Sequence, residues 1–350
     1  MRADELAEAQ GHPRARLAVL PTPIHPLRRL TEALGGPEIW VKRDDLTGLA
    51  GGGNKTRKLE FLVGQALVRR ADTLVTVGAI QSNHTRQTAA AAAHYGLDCV
   101  LLHNGWAEDA GPHYRKVGNI LISSLLGATL LYDPVQRHID DEGALTGLVE
   151  RLRAQGKRPY LIPGGASDHP LGGLGYALAA TEILDQSQNL GVRFDRIVHC
   201  TGSSGTQAGL LAGLAVGNSS IRVTGVADDN ETEDKKSRVL RLANQTLERL
   251  GASPSVDASD VEVVVGDPSP YGVAAPETIE AIHLLARSEG LVADPVYEGK
   301  AIAGLRKLVE SGTIGAGERV LLLHLGGTPA VHGYANQLWD GEITTLDDLP

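Results

Sequence analysis

Lys55 is the residue of this chain best placed for chemistry. It sits in the run Gly51-Gly52-Gly53-Asn54-Lys55-Thr56-Arg57-Lys58. Leu59, Leu62, Val63, Ala66 and Leu67 then recur at three and four, which predicts an amphipathic helix over 55–70. Asn54 is expected to cap that helix through its side-chain oxygen. Lys55, Arg57 and Lys58 fall in the first turn, where the helix dipole disfavours each cation by roughly 0.3–1 kcal/mol. Such placement suits an amine kept uncharged for chemistry, or cations that hold an anion. A solvated loop feeding a surface helix is the plainer alternative.

Four other loops are chemically loaded. Gly78 to Gln87 places Ser82 and Asn83 at an expected helix start, where free N–H groups suit a carboxylate or phosphate; a plain N-cap would use the same residues. His84 beside them is a proton shuttle or a structural histidine. Thr201-Gly202-Ser203-Ser204-Gly205-Thr206-Gln207 links an expected strand to a helix with hydroxyls and small residues, which suits a phosphate dianion. It lacks the Gly-Lys-Ser/Thr ending of a Walker loop and is not G-x-G-x-x-G, so a small phosphate ester is indicated rather than a nucleotide. Tyr297 in Asp294-Pro295-Val296-Tyr297-Glu298-Gly299-Lys300, and Tyr271 upstream, either face a ligand or pack their loops down. His324-Leu325-Gly326-Gly327 permits close backbone approach to a ligand, or is a tight turn. The acidic stretch from Asp228 to Lys236 reads as a solvated helix start rather than a site. No metal-ligand spacing and no G-x-S-x-G elbow occurs.

These loops need a frame. Strands are expected at 39–42, 73–77, 99–102, 129–131, 160–162, 196–200, 222–226 and 319–324. Helices are expected at 27–34, 55–70, 82–95, 114–126, 141–155, 173–188, 207–216, 233–250, 278–288, 300–311 and from 329. The alternation predicts an α/β protein with parallel sheets covered by helices, and ligands at the carboxyl ends of the strands. Residues 1–36 read as an irregular arm broken by Pro21, Pro23 and Pro26. The segment 163–170 is the expected crossing between two lobes. A chain of 350 residues supports a sizeable core. The net charge of −9 argues against a nucleic-acid partner. No apolar run reaches membrane length, no signal-peptide core is present, and Cys99 and Cys200 are expected reduced and buried, so a cytoplasmic enzyme is expected.

A reactive lysine, a phosphate cradle and a polar helix start together suggest pyridoxal 5′-phosphate. The sequence resembles the 1-aminocyclopropane-1-carboxylate (ACC) deaminase / D-cysteine desulfhydrase family, of the tryptophan-synthase-β-like type. The motifs are GGGNKTRKLE at 51–60, IQSNHTRQ at 80–87, SDHPLGGLGY at 167–176, DPVYEGK at 294–300 and HLGGTPA at 324–330. The resemblance runs from about Pro21 to Tyr334. It implies that Lys55 holds the cofactor as a Schiff base and that Asn83 meets its phenolic oxygen. Gly202, Ser203, Ser204, Gly205 and Thr206 would cradle the phosphate. Ser82 and Asn83 would receive the substrate carboxylate, with His84 and Trp106 nearby. Tyr297 would stack and face substrate with Tyr271 as partner, and Glu298 would meet the pyridine nitrogen beside Leu325.

Glu298 with Leu325, the 167–173 segment and Trp106 resemble the deaminases. His84, the 201–207 loop and the proline-rich arm resemble desulfhydrases or cysteate sulfo-lyases. The expected activity is opening of ACC to 2-oxobutanoate and ammonia. The alternative is α,β-elimination from D-cysteine to pyruvate, ammonia and sulfide. Two lobes are implied, a large one of 1–56 and 171–350 and a smaller insertion of 57–170, in a homodimer. A cofactor-holding regulator without turnover and a nicotinamide dehydrogenase lacking its fingerprint are the other classes.

Overall fold

The computed structural model describes residues 2–135 and 143–343. In chain order the first elements are α1 (Ala3–Ala9), β1 (Ile24–Pro26), α2 (Arg28–Leu34), β2 (Glu38–Arg43) and α3 (Lys55–Val68). Then come β3 (Thr73–Gly78), α4 (Asn83–Tyr95), β4 (Asp98–Asn104), α5 (Gly118–Leu125), β5 (Thr129–Asp133), α6 (Gly143–Ala154) and β6 (Pro159–Leu161). The rest is α7 (Leu174–Leu190), β7 (Arg196–Thr201), α8 (Gly205–Val216), β8 (Arg222–Ala227), α9 (Thr232–Arg249) and β9 (Glu262–Val265), followed by α10 (Pro276–Glu289), α11 (Glu298–Glu310), β10 (Arg319–His324) and α12 (Ala335–Leu338).

Two sheets form. One has the order β1-β2-β10-β7-β8-β9 and the other β5-β4-β3-β6. Every pairing is parallel except β1 with β2, where Ile24 faces Lys42 and Pro26 faces Trp40. Strands β3 and β7 are buried along their whole length, as expected of parallel strands covered on both faces.

Several expectations are corrected. The proline-rich arm is not wholly irregular, because β1 pairs at the sheet edge, where a proline costs no ladder bond. Residues 3–9 are helical and β9 forms, and neither was expected. The helix expected from 114 begins only at Gly118, whose φ of +66° breaks a helical run. Of the helix expected at 141–155, residues 141–142 lie outside the described residues. The last expected helix is a 3-10 segment, Thr328–Tyr334, followed by the short α12.

Helix α3 packs between the four-stranded sheet and α7. Leu59 and Leu62 of α3 share one buried cluster with Leu74 and Leu101 of the four-stranded sheet and with Leu174 and Ala177 of α7. Its first turn lies hard against α7, since a Cβ on Gly175 would fall 2.3 Å from the carbonyl oxygen of Arg57. Among the described residues, no helix is long and apolar enough to cross a membrane.

Candidate active site

The carboxyl ends of both sheets converge on one cavity of about 400 Å³. Lys55 follows β2, Ser82, Asn83 and His84 follow β3, and Trp106 follows β4. Gly202, Ser203, Ser204 and Thr206 follow β7, Leu325 follows β10, and Tyr271, Tyr297 and Glu298 come from the segments around α10. All thirteen line the cavity. Gly205, expected with them, does not; it opens α8, and a Cβ there would lie 2.7 Å from Ser167 Oγ.

Lys55 is the first residue of α3. The glycine run before it has positive φ throughout, and a Cβ on Gly52 would fall 1.9 Å from the Asp45 carbonyl oxygen. No L side chain fits there. Two side chains of α4 clamp this loop. Arg86 donates to the carbonyls of Ala50 at 2.6 Å and Gly52 at 2.9 Å, and Gln87 Oε1 accepts from Thr56 N at 2.9 Å. Asn54 does not cap the helix. Its side chain instead donates to Thr206 Oγ1 at 3.1 Å, linking the lysine loop to the 201–206 loop.

The three cations of this turn have separate environments. Arg57 is buried and forks onto Asp44 and Glu182 at 2.8 and 2.9 Å. Lys58 is buried without a carboxylate and donates to Ser167 Oγ at 2.9 Å, and that oxygen lies 2.8 Å from Ser203 Oγ. Burial pushes the Lys58 amine well below its ordinary pKa. Lys55 opens to the cavity, with its amine 5.4 Å from the centre of the Tyr297 ring. Desolvation lowers its pKa too, despite the opposing field of Cys200, Asp294 and Glu298. A lysine with a lowered pKa is the nucleophilic form.

Asn83 is oriented by a relay. Arg86 Nε donates to Asn119 Oδ1 at 2.7 Å, so the other end of Asn119 is its NH₂. That NH₂ donates to Gln81 O and to Asn83 Oδ1, both at 2.8 Å. Asn83 therefore has its NH₂ left over as a donor. Ser82 caps α4, its Oγ accepting from Thr85 N at 3.3 Å. His84 is fixed by similar logic. Thr76 Oγ1 donates to Ile162 O at 2.7 Å, so at its 2.7 Å contact with His84 Nε2 the imidazole is the donor. His84 Nδ1 is left as a buried acceptor with no partner, and burial holds the ring neutral.

The loop after β7 ends at the N-terminus of α8, whose first N–H groups have no intrahelical partner. Ser204 adopts φ +70°, and the buried Thr201 and Ser204 hydroxyls are unpartnered. A non-glycine residue held in this conformation beside unpaired donors is a ligand-shaped feature. At another wall, Glu298 Oε2 accepts from Leu325 N at 3.0 Å, whereas Oε1 is buried without a partner. Burial and the neighbouring Asp294 push its carboxyl well above the usual range. His324 lies 3.6 Å away, but its Nδ1 accepts from Gly326 N at 3.3 Å and its pKa is lowered by burial. It is thus a neutral neighbour of Glu298.

Tyr271 and Tyr297 meet through their hydroxyls at 2.7 Å, and Trp106 packs edge-on to Tyr271 at 6.4 Å between centroids. Asp294, given no role by the sequence, holds the Tyr297 backbone. Its Oδ1 accepts from Val296 N and Tyr297 N at 2.8 Å each, and burial pushes its carboxyl up to about 6. Lys300 secures the other tyrosine loop, donating to the carbonyls of Asp228 at 2.9 Å and Ser269 at 2.8 Å. The 228–236 stretch is not merely a solvated helix start. Asp228 and Lys235 are buried, pair at 3.1 Å and line the cavity. Charge alone gave no signal for this, because the pair is assembled across the turn after β8.

The unpartnered groups define what fits. Hydroxyls and helix N–H groups at the 201–206 loop suit a phosphate; the carboxyl oxygen of Glu298 suits a ring nitrogen; the Asn83 amide suits an oxyanion; and Lys55 suits a carbonyl. A phosphorylated pyridine aldehyde carries all four groups.

Known proteins agree. A family model described as pyridoxal-phosphate dependent enzyme matches residues 15–326. An ACC deaminase of Ralstonia nicotianae is 44% identical over 328 residues, covering 93% of this chain and 97% of that protein. One of Burkholderia multivorans is 43% identical over 335 residues, covering 95% and 99%. The crystal structure of an ACC deaminase homologue superposes with a TM-score of 0.87 at 36% identity, over 96% of this chain and 98% of that one. An O-ureido-L-serine synthase shares the fold, with a TM-score of 0.65 at 21% identity over 93% and 95%. On sequence, fold and donor set alike, the chain belongs to the pyridoxal-phosphate dependent enzymes.

Proposed function

We propose that this protein is an ACC deaminase, converting ACC and water to 2-oxobutanoate and ammonia. The observation that carries this reading is the pairing of Glu298 with Leu325. The backbone N–H of Leu325 pins one carboxyl oxygen of Glu298, and its buried side chain walls the cavity without offering a competing hydrogen bond. Relatives named ACC deaminase, at 43–44% identity over nearly full length, support it.

Pyridoxal phosphate, when bound, captures the substrate amine at its aldehyde and draws electron density into its ring. Lys55 would hold that aldehyde between turnovers. The 202–206 loop would hold the phosphate, backed by Lys58 through Ser167, with Asn83 at the phenolic oxygen and Glu298 at the ring nitrogen. Ser82 and the start of α4 would orient the substrate carboxylate. ACC has no hydrogen on its α-carbon, so its ring would open by attack or by proton removal at a ring carbon. Tyr297, hydrogen-bonded to Tyr271, and the amine of Lys55 near its ring would be the groups that act there, supported by their proximity. Trp106, packed edge-on to Tyr271, would shield the tyrosine side from water.

A second reading is elimination from D-cysteine, favoured by the neutral imidazole of His84 beside the cavity. The deciding experiment assays purified holoenzyme with ACC and with D-cysteine, measuring 2-oxobutanoate, pyruvate and sulfide. 2-Oxobutanoate from ACC establishes the deaminase. Sulfide and pyruvate alone establish the eliminase and overturn the first reading. We further infer a cytoplasmic homodimer with a lobe boundary near 57 and 170, consistent with two buried, unpaired cysteines and with the four-stranded sheet spanning 73–161.

A further inference from the structure

A second cavity, of about 470 Å³, lies where the C-terminal ends of α3 and α6 meet β6. Its wall carries Arg69, Arg153, Lys157 and Arg158 with Tyr160 and His169 and, among the described residues, no Asp or Glu. In a chain of net charge −9, four exposed cations lining one concavity call for an explanation. Helix dipoles favour a cation at the C-terminal end of a helix, as at the ends of α3 and α6 here. They do not explain four cations turned into one hollow.

Two of the four are already compensated from outside the cavity. Lys157 pairs with Asp98 at 2.6 Å and Arg158 with Asp72 at 3.5 Å. Among the described residues, no carboxylate pairs with Arg69 or Arg153. Arg69 is nevertheless placed, its guanidinium 5.7 Å from the centre of the Tyr160 ring. Tyr160 is itself fixed, donating to Gln65 Oε1 at 2.5 Å. His169 Nδ1 accepts from Leu171 N at 3.0 Å, so the proton on Nε2 points to Tyr160 Oη at 3.3 Å. Burial, with smaller contributions from the fields of Arg69 and Arg249, pushes His169 down to about 4. The segment bearing His169 also carries Ser167, which contacts Lys58 and Ser203 behind the first cavity.

We propose that this cavity binds a small polyanion bearing phosphoryl or carboxyl groups, held by Arg69 and Arg153. Guanidinium groups left without a carboxylate, one of them held against a ring, match the planar two-oxygen face of either group.

The test is calorimetric titration of the holoenzyme, whose own phosphate site is filled, with pyrophosphate and separately with tricarballylate at low salt. The expected result is saturable binding of one anion per chain, weakened about tenfold or more in Arg69→Ala/Arg153→Ala. The tighter probe tells phosphoryl from carboxyl ligands. The control Arg306→Ala/Arg319→Ala removes two exposed cations elsewhere and is expected to bind within about twofold of the parent. Thermal melts verify that each variant is folded; should the alanine pair fail to fold, Arg69→Gln/Arg153→Gln replaces it. No saturable heat with either probe, or equal weakening in the control, overturns the proposal.

Discussion

The hydroxyls of Tyr271 and Tyr297 stand 2.7 Å apart, although the two residues come from loops on either side of α10. Only one of them can donate to the other, so one O–H remains for a substrate. Burial raises both phenols above their ordinary pKa, which keeps the pair protonated at neutral pH. Tyr297→Phe is expected to lower kcat on ACC by about 10²–10⁴-fold, the usual worth of a positioned proton donor or acceptor. Tyr271→Phe is expected to cost about tenfold, the effect of losing one orienting hydrogen bond. Steady-state formation of 2-oxobutanoate measures both. Near-parental kcat in Tyr297→Phe would remove that residue from the chemistry.

Residue 325 touches Glu298 only through its backbone N–H in the hydrogen-bond pattern. Glu298→Ser with Leu325→Thr keeps that N–H, removes the carboxylate and adds hydroxyls. The product ratio is expected to move toward pyruvate from D-cysteine and away from 2-oxobutanoate from ACC, by about tenfold or more. Unchanged ratios in the double variant would mean that this wall does not set the reaction.

The relay from Arg86 through Asn119 to Asn83 predicts a cofactor effect without direct contact. Asn119→Ala leaves the Asn83 amide free to turn, and the Asn83 donor is then no longer presented. Loss of one such bond is worth about 1 kcal/mol, or roughly a fivefold to tenfold weaker cofactor Kd. Absorbance titration of the apoenzyme with pyridoxal phosphate reads it. An unchanged Kd would show that Asn83 is held by other means.

Asp44 predicts acid behaviour. It is buried, bonded to Arg57, Thr22 and Tyr176, and its carboxyl is lowered to about 2. A lowered folded-state pKa stabilises the fold above the unfolded value near 4 and loses that contribution as pH falls toward 2. The contribution is about 2 kcal/mol. Chemical denaturation of the parent and of Asp44→Asn is expected to differ most above pH 4 and to converge between about 4 and 2. A pH-independent gap would assign the effect to packing.

Much of the site was legible because its chemistry is local. A lysine after three glycines, and hydroxyls between a strand and a helix, announce themselves by residue type. The strands of the parallel sheets were legible for the same reason, since each carries a short apolar run bounded by turns. Asn54 misled because a cap is a local rule, and here a partner 152 positions away, Thr206, takes the side chain instead. Arg86 and Gln87 gave no signal, since a buried arginine that serves carbonyls looks in sequence like any helical cation. The edge strands β1 and β9 were missed because three or four residues carry too little periodicity.

The sequence by itself determined the α/β architecture, the family resemblance, and the candidate lysine and hydroxyl-rich loop that line the cavity, because backbone preferences and residue chemistry act over a few positions. Only the tertiary structure decided how those groups are oriented. Which end of Asn83 faces the cavity, which nitrogen of His84 is bare, and which oxygen of Glu298 is free depend on hydrogen bonds between segments far apart in the chain. Each such group has two orientations of similar intrinsic energy, and the partners that choose between them exist only once the chain is folded.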